Sequence, residues 1–263
     1  MAEEIETVST RTETSKRHWK FLLEIFIAPR RVFNQLAAIQ NNAWQIPMLI
    51  LTGLIILMSL AGGPARLQNT IMNLEQPPDD YMYWTTEQQN QFTEGQIAQQ
   101  GPLFTIIFPM ISSLAGLWLG WLLLSSVLHL LMTLKGSRQS REIYLNFIAW
   151  AAVPFALRSL VQIFSLLISK QIIDDPGLSG LISQQAEGWL AILRLALELV
   201  DLYGIWFIAL TLIGSPIISG LKPGKAISTT LIACLIFFVL ALIPGIIRLQ
   251  LSGLGGVRPY IFF

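Results

Sequence analysis

Five long apolar runs decide what this chain can fold into. They fall at about 44–62, 103–134, 143–169, 189–219 and 226–247, and a helix needs roughly 20 mostly apolar residues to cross a hydrocarbon core about 30 Å thick. None of the five alternates with the period of a strand. A segment in lipid must also satisfy its own backbone, which a helix does and an isolated strand does not. The expected fold is therefore an all-α integral membrane protein, a bundle of about five transmembrane helices. Composition supports this: 53% of residues are apolar and only 13% charged, with a mean hydropathy of +0.59, far above a water-soluble domain.

The runs divide the chain into a cytoplasmic N-terminal segment (1–43), a five-span membrane domain (44–247) with one large outer loop (63–102), and a C-terminal tail (248–263). No basic start followed by an early hydrophobic core marks a signal peptide, so the first span is expected to stay as an anchor. Orientation follows from Lys and Arg, which are retained on the cytoplasmic side. Arg11, Lys16, Arg17, Lys20, Arg30 and Arg31 precede the first run. Lys135, Arg138 and Arg141 lie between the second and third, and Lys222 and Lys225 between the fourth and fifth. The other side receives Arg66, Lys170, Arg248 and Arg258, together with Glu75, Asp79, Asp80, Glu87 and Glu94 in the outer loop. The N-terminus is placed in the cytoplasm of a cell with an inner or plasma membrane, and the C-terminus outside.

Two runs are longer than a crossing requires, since about 30 residues make roughly 45 Å of helix. Pro102 and Pro109 allow a kink at the start of the second. In the fourth, 202–218 alone is long enough to cross, so the first turns of a single helix over 189–219 are expected to stand outside the hydrocarbon.

Ahead of the first run, Trp19, Leu22, Phe26, Phe33 and Leu36 form an apolar stripe interrupted at Pro29, with Lys16, Arg17, Lys20, Arg30 and Arg31 around it. Two readings stand. In one, Trp19, Phe26, Pro29, Arg30, Arg31 and Phe33 anchor an amphipathic helix on membrane lipid; in the other, the helix packs beneath the bundle. Amphipathicity alone does not separate lipid from protein.

The outer loop is too long for a simple connection. Thr85 with Gln88, or Thr86 with Gln89, offers a capping box for a short helix running to about Gln99, and Tyr81, Tyr83 and Trp84 suit a membrane interface. This loop is either a docking element for an extracytoplasmic partner or a tether. Gly116 and Gly120 form a Gly-x-x-x-Gly pair that lets another helix approach closely, within the bundle or between copies.

Four ionisable residues fall inside apolar runs: Arg158, Arg194, Glu198 and Asp201. A charge near a helix centre costs on the order of 3 kcal/mol even on lenient insertion scales. Arg194, Glu198 and Asp201 share one helical face, and antiparallel third and fourth spans bring Arg158 to a similar depth. They form either a polar cavity with a proton or ion path or a closed network of structural ion pairs. The search for catalytic chemistry finds nothing: His18 and His129 lack neighbours at metal-ligand spacing, Cys234 stands alone in an apolar run, and no nucleophile elbow or phosphate loop occurs. No cofactor is expected, and with a formal net charge of +1 no nucleic acid either.

Several stretches resemble the Yip family, the Ypt/Rab-interacting membrane proteins and their prokaryotic relatives. They are Phe26, Pro29, Phe33 and Leu36 followed by Trp44 and Pro47; Tyr144 and Pro154; and Asp201, Leu202, Tyr203, Gly204, Ile205 and Trp206 leading to Gly214, Lys225 and Ala226. Eukaryotic members carry Asp-Leu-Tyr-Gly-Pro before their first span, whereas here Asp-Leu-Tyr-Gly stands in the fourth without the Pro, so Rab binding is not carried over. The resemblance implies five spans with a cytoplasmic N-terminus and a non-enzymatic protein acting through partners: trafficking and bilayer-shaping factors in eukaryotes, accessory subunits of ABC-type export pumps in some bacteria. The expectation is an accessory or scaffold subunit of a membrane complex, prokaryotic in type. The rival is a small transporter or channel using Arg158, Glu198 and Asp201; an intramembrane enzyme lacks its motifs.

Overall fold

The computed structural model describes residues 19–38, 42–72, 77–78, 80–172 and 175–252. Arg11, Lys16, Arg17, His18, Glu75, Asp79, Arg258 and the rest of the tail after residue 252 lie outside them. Every regular element among the described residues is helical. In chain order the α-helices are α1 (19–27), α2 (Pro29–Ala37), α3 (Gln45–Met72), α4 (Thr86–Gln99), α5 (Phe108–Leu134, preceded by a wide π-type turn over Leu103–Ile107), α6 (Arg141–Ala151), α7 (Pro154–Ser169), α8 (Trp189–Glu198), α9 (Leu202–Ser219) and α10 (Pro223–Ser252), with single 3-10 turns at Tyr81–Tyr83 and Ser179–Leu181. Five segments are long and apolar enough to cross a membrane: Gln45–Met72, Leu103–Leu134, Arg141–Ser169, Leu202–Ser219 and Pro223–Ile247. The protein is an all-α, multi-pass membrane bundle.

Three of these segments differ from the sequence expectation. The first continues past 62 through Pro64 to Met72, and Arg66 ties this end of it to the π-type turn: its Nη1 donates to the Ser59 carbonyl (3.1 Å) and to the Thr105 carbonyl (3.0 Å). The outer connection is correspondingly shorter than 63–102. The third segment is jointed, with Ala152 and Val153 between α6 and α7 just before Pro154. The fourth is not one helix over 189–219 but two, α8 and α9, parted at Leu199–Asp201.

The core is densest toward the end where α3 begins. Trp44 stacks against Trp121 (4.9 Å) and edge-on to Trp118 (6.0 Å). Each indole N–H that reaches inward finds an acceptor, Trp121 on the Leu145 carbonyl (3.0 Å), Trp150 on the Ala43 carbonyl (3.0 Å) and Trp118 on Thr52 Oγ1 (3.2 Å). Buried indoles need such partners. The start of α3 is fixed by Asn146 Oδ1, which accepts from the Trp44 amide (2.9 Å). Ser137 Oγ donates to the Ser219 carbonyl (2.8 Å) and therefore accepts from Tyr144 (2.9 Å), tying the α5–α6 link to the end of α9.

α1 and α2 belong to this core. Phe21, Ile25, Val32, Phe33 and Leu36 are buried, with Phe21 edge-on to Trp150, Phe26 to Trp206 and Phe33 to Phe147. Gly214 on α9 makes room: a Cβ there would lie 2.8 Å from the Phe33 ring and collide with Phe147. Phe33, with 0% of its surface exposed, touches protein instead of lipid, which corrects the anchor reading for that residue. Phe26 is half-buried, edge-on to Trp206.

Candidate functional site

The break in the fourth segment gathers the charges. α9 restarts at Asp201, whose backbone is extended (φ −133°, ψ 175°) and whose Oδ1 accepts the Gly204 amide (2.6 Å). A side-chain acceptor at this position satisfies one of the amides that a new helix leaves open. The second oxygen has a different partner: Oδ2 lies 3.1 Å from Arg158 Nε, on α7. One carboxylate thus caps α9 and holds α7 to it. At 1.5 Å per residue Arg158 is about 17 Å along the chain from Phe147 and Asp201 about 20 Å from Gly214. Phe147 and Gly214 touch, so the pair is matched in height.

Arg194 on α8 turns elsewhere. Its Nη2 reaches Asp175 Oδ1 (2.6 Å) and its Nη1 lies 3.6 Å from Glu198, one turn on. Asp175 also receives Gln184 Nε2 (3.4 Å). The hydrogen bond from Arg194 is the main cause that holds the Asp175 carboxyl below the usual carboxylate value, against the opposing effect of desolvation. The loop that carries Asp175 is seated on the end of α8. The Leu178 amide donates to the Leu197 carbonyl (3.0 Å), and Gly177, at φ +63°, lies so close that a Cβ would meet the carbonyls of Leu197, Glu198 and Val200 at 2.7–2.8 Å. Only glycine fits both the angle and the gap. The carbonyls exposed where α8 stops therefore face a loop backbone and not lipid.

The four residues singled out in the sequence form two pairings. The structure brings together Arg158 with Asp201, and Arg194 with Glu198; no ion pair joins the two sets among the described residues. Asp175 was missed. It lies outside the apolar runs, and a loop carboxylate gives no periodic signal to read. The Arg158 and Asp201 side chains are 32% and 15% exposed, so the joint is partly open at the surface of the bundle. Among the described residues no three His, Cys, Asp or Glu side chains converge as a metal site would require.

The other singled-out residues separate by environment. A Cβ on Gly120 would stand 3.4 Å from Phe237 of α10, so this glycine packs within its own bundle; Gly116 is half-buried on the same helix. Closer approaches occur at Gly214 and at Gly63, where a Cβ would meet Ile106 at 2.7 Å. Pro29 opens α2. Arg30 and Arg31 are exposed, and so is Trp19 (55%) with its neighbours Leu23 and Ile27. In the outer connection the structure selects the Thr85 capping box, with the Thr85 amide donating to Gln88 Oε1 (3.0 Å) and the Gln88 amide to Thr85 Oγ1 (3.4 Å).

In comparisons with known proteins, the family model described as the Yip1 domain matches residues 23–243. No curated protein and no solved structure matches the chain.

Proposed function

Since the chain belongs to the Yip1-domain family, we infer that it works without catalysis, as an accessory or scaffold subunit that holds protein partners in a membrane complex, an ABC-type export pump in the first instance. Its N-terminus lies in the cytoplasm and its C-terminus outside the cell membrane, in keeping with the Lys and Arg distribution. The observation that carries the reading is α4. This helix has no buried residue and is mostly polar, with Glu87 and Glu94 and no Lys or Arg; its Phe92 packs on Tyr81 and Trp84 of the same outer connection. A helix with so little apolar surface is not buried in the core, yet α4 is capped and joined to the bundle at the π-type turn. That suits a docking element for an extracytoplasmic partner.

Purification of the full chain in mild detergent tests this. The expected result is a stoichiometric partner, identified by mass spectrometry as a subunit of an export pump, which is lost when residues 86–99 are replaced by a Gly/Ser linker of equal length. A chain that purifies alone, with or without α4, overturns it. The break at Asp201 favours a second reading, a small transporter, because charged groups at an interrupted span are where such proteins bind solute. A lone homo-oligomer that moves solute into liposomes, and stops doing so in Arg158→Leu, decides for that one.

A further inference from the structure

A groove of about 530 Å³ opens between α2, α9 and α10. Its walls are hydrocarbon: Leu212, Ile213, Pro216 and Ile217 of α9 with Pro223 and Ile227 of α10. Its rim on α2 is polar and carries Arg30 and Asn34. Asn34 Nδ2 is turned back onto the Arg30 carbonyl (2.9 Å), which leaves the guanidinium as the group offered to an occupant. Arg30 is exposed and makes no ion pair among the described residues. Two more exposed cations, Lys222 and Lys225, stand in and beside the link between α9 and α10, where the groove ends at Pro223. No carboxylate lines it.

Location limits what can enter. α9 and α10 are both membrane-crossing segments, and the groove lies where one ends and the next begins, at a membrane boundary. An apolar slot facing hydrocarbon, with a cation at its mouth, is complementary to a molecule with an acyl chain and a negative headgroup. Water-soluble anions match only the rim, and an apolar helix of a partner would leave the guanidinium stranded at its edge, a cost that a docking surface avoids. A zwitterionic lipid brings an ammonium toward Arg30, Lys222 and Lys225.

We propose that this groove is a binding site for one anionic phospholipid, its acyl chain along Ile213, Pro216 and Ile227 and its phosphate at Arg30. Basic residues at a membrane boundary attract such headgroups, and a guanidinium binds phosphate through paired, charge-assisted hydrogen bonds. The site would fasten α2 to the last two spans from the lipid side, whereas Phe33 fastens it from the protein side. It stands apart from the partner reading, because the purified chain alone displays it.

Native mass spectrometry of the delipidated full chain, titrated with phosphatidylglycerol or with phosphatidylcholine of the same acyl chains, tests it. One phosphatidylglycerol should be retained about five- to tenfold more tightly than phosphatidylcholine, the effect of one charge-assisted contact. Arg30→Gln, at an exposed position, should abolish the difference, while Ile227→Trp should reduce retention of both by filling the slot. Inorganic phosphate at millimolar concentration should displace neither. Equal retention of the two lipids by the unmodified chain, an undiminished preference in Arg30→Gln, or displacement by phosphate overturns the proposal. If Ile227→Trp loses its helical circular dichroism, Ile213→Trp on the facing wall gives the same reading.

Discussion

Asp201 has two partners, and substitutions at that one position separate them. Exposed ion pairs contribute about 0–1 kcal/mol, and breaking a fully buried one costs about 3–5 kcal/mol. With side chains 32% and 15% exposed and a separation of 3.1 Å, Arg158–Asp201 belongs between these limits, at about 1–2 kcal/mol. Asp201→Asn keeps an oxygen for the Gly204 amide and loses only the charge, so it should cost that amount. Asp201→Ala also loses the cap, worth about 1 kcal/mol, and should cost about 2–3 kcal/mol. Arg158→Leu should cost about as much as Asp201→Asn, and the double variant no more than either alone, because the second change removes a partner already lost. The assay is unfolding in mixed micelles with increasing dodecyl sulfate, followed by tryptophan fluorescence. Additive costs in the double variant, or equal costs for Asp201→Asn and Asp201→Ala, refute the division of labour described for this carboxylate.

Gly214→Ala should destabilise by about 0–2 kcal/mol, because crowding the Phe33 and Phe147 rings costs about 1–3 kcal/mol and the helix-propensity gain returns about 1; Phe33→Leu in the same chain should recover most of it in the same unfolding assay. The Asp175 carboxyl is held below its ordinary value, so its contribution is fully present above that value and disappears as pH falls through the lower one. The thermal midpoint of the unmodified chain should exceed that of Asp175→Asn by a constant margin from about pH 5 upward, narrowing only below about pH 4; a margin that narrows near neutrality refutes the assignment. With Cys234→Ser, a cysteine in place of Gln89 should react with an impermeant maleimide in intact cells. Labelling only after permeabilisation would reverse the proposed orientation.

Where the sequence was readable, one residue type carried one meaning. Long apolar runs give membrane helices almost without reference to their neighbours, because lipid supplies no alternative for the backbone. The joints were harder. Asp201 reads as one charge on a continuous helical face, since Arg194, Glu198 and Asp201 fall at helical spacing; an Asp three residues before the Gly204 amide also fits an N-cap pattern, a local signal that the length of the run hides. The first run ends at 62 by its apolar length, while the helix continues through Pro64 to Met72, with Arg66 reaching back to Ser59. For Phe33 the stripe gave the correct face but not what covers it, because Gly214 and Phe147 lie far along the chain. Asp175 had no signal at all, being a loop residue chosen by Arg194.

The seating of Phe33 also has a consequence for synthesis. Its pocket is made by α6 and by Gly214 of α9, and α9 leaves the ribosome about 180 residues after Phe33, a delay of roughly 10 to 40 s at 5–20 residues per second. α1 and α2 are therefore made well before the groove that receives them is complete. During that interval the apolar faces of α1 and α2 have no protein to cover them, and the nearest available surface is the bilayer beneath the ribosome. Exposed Trp19, Leu23 and Ile27, which remain outside the core in the finished molecule, suit such a waiting position.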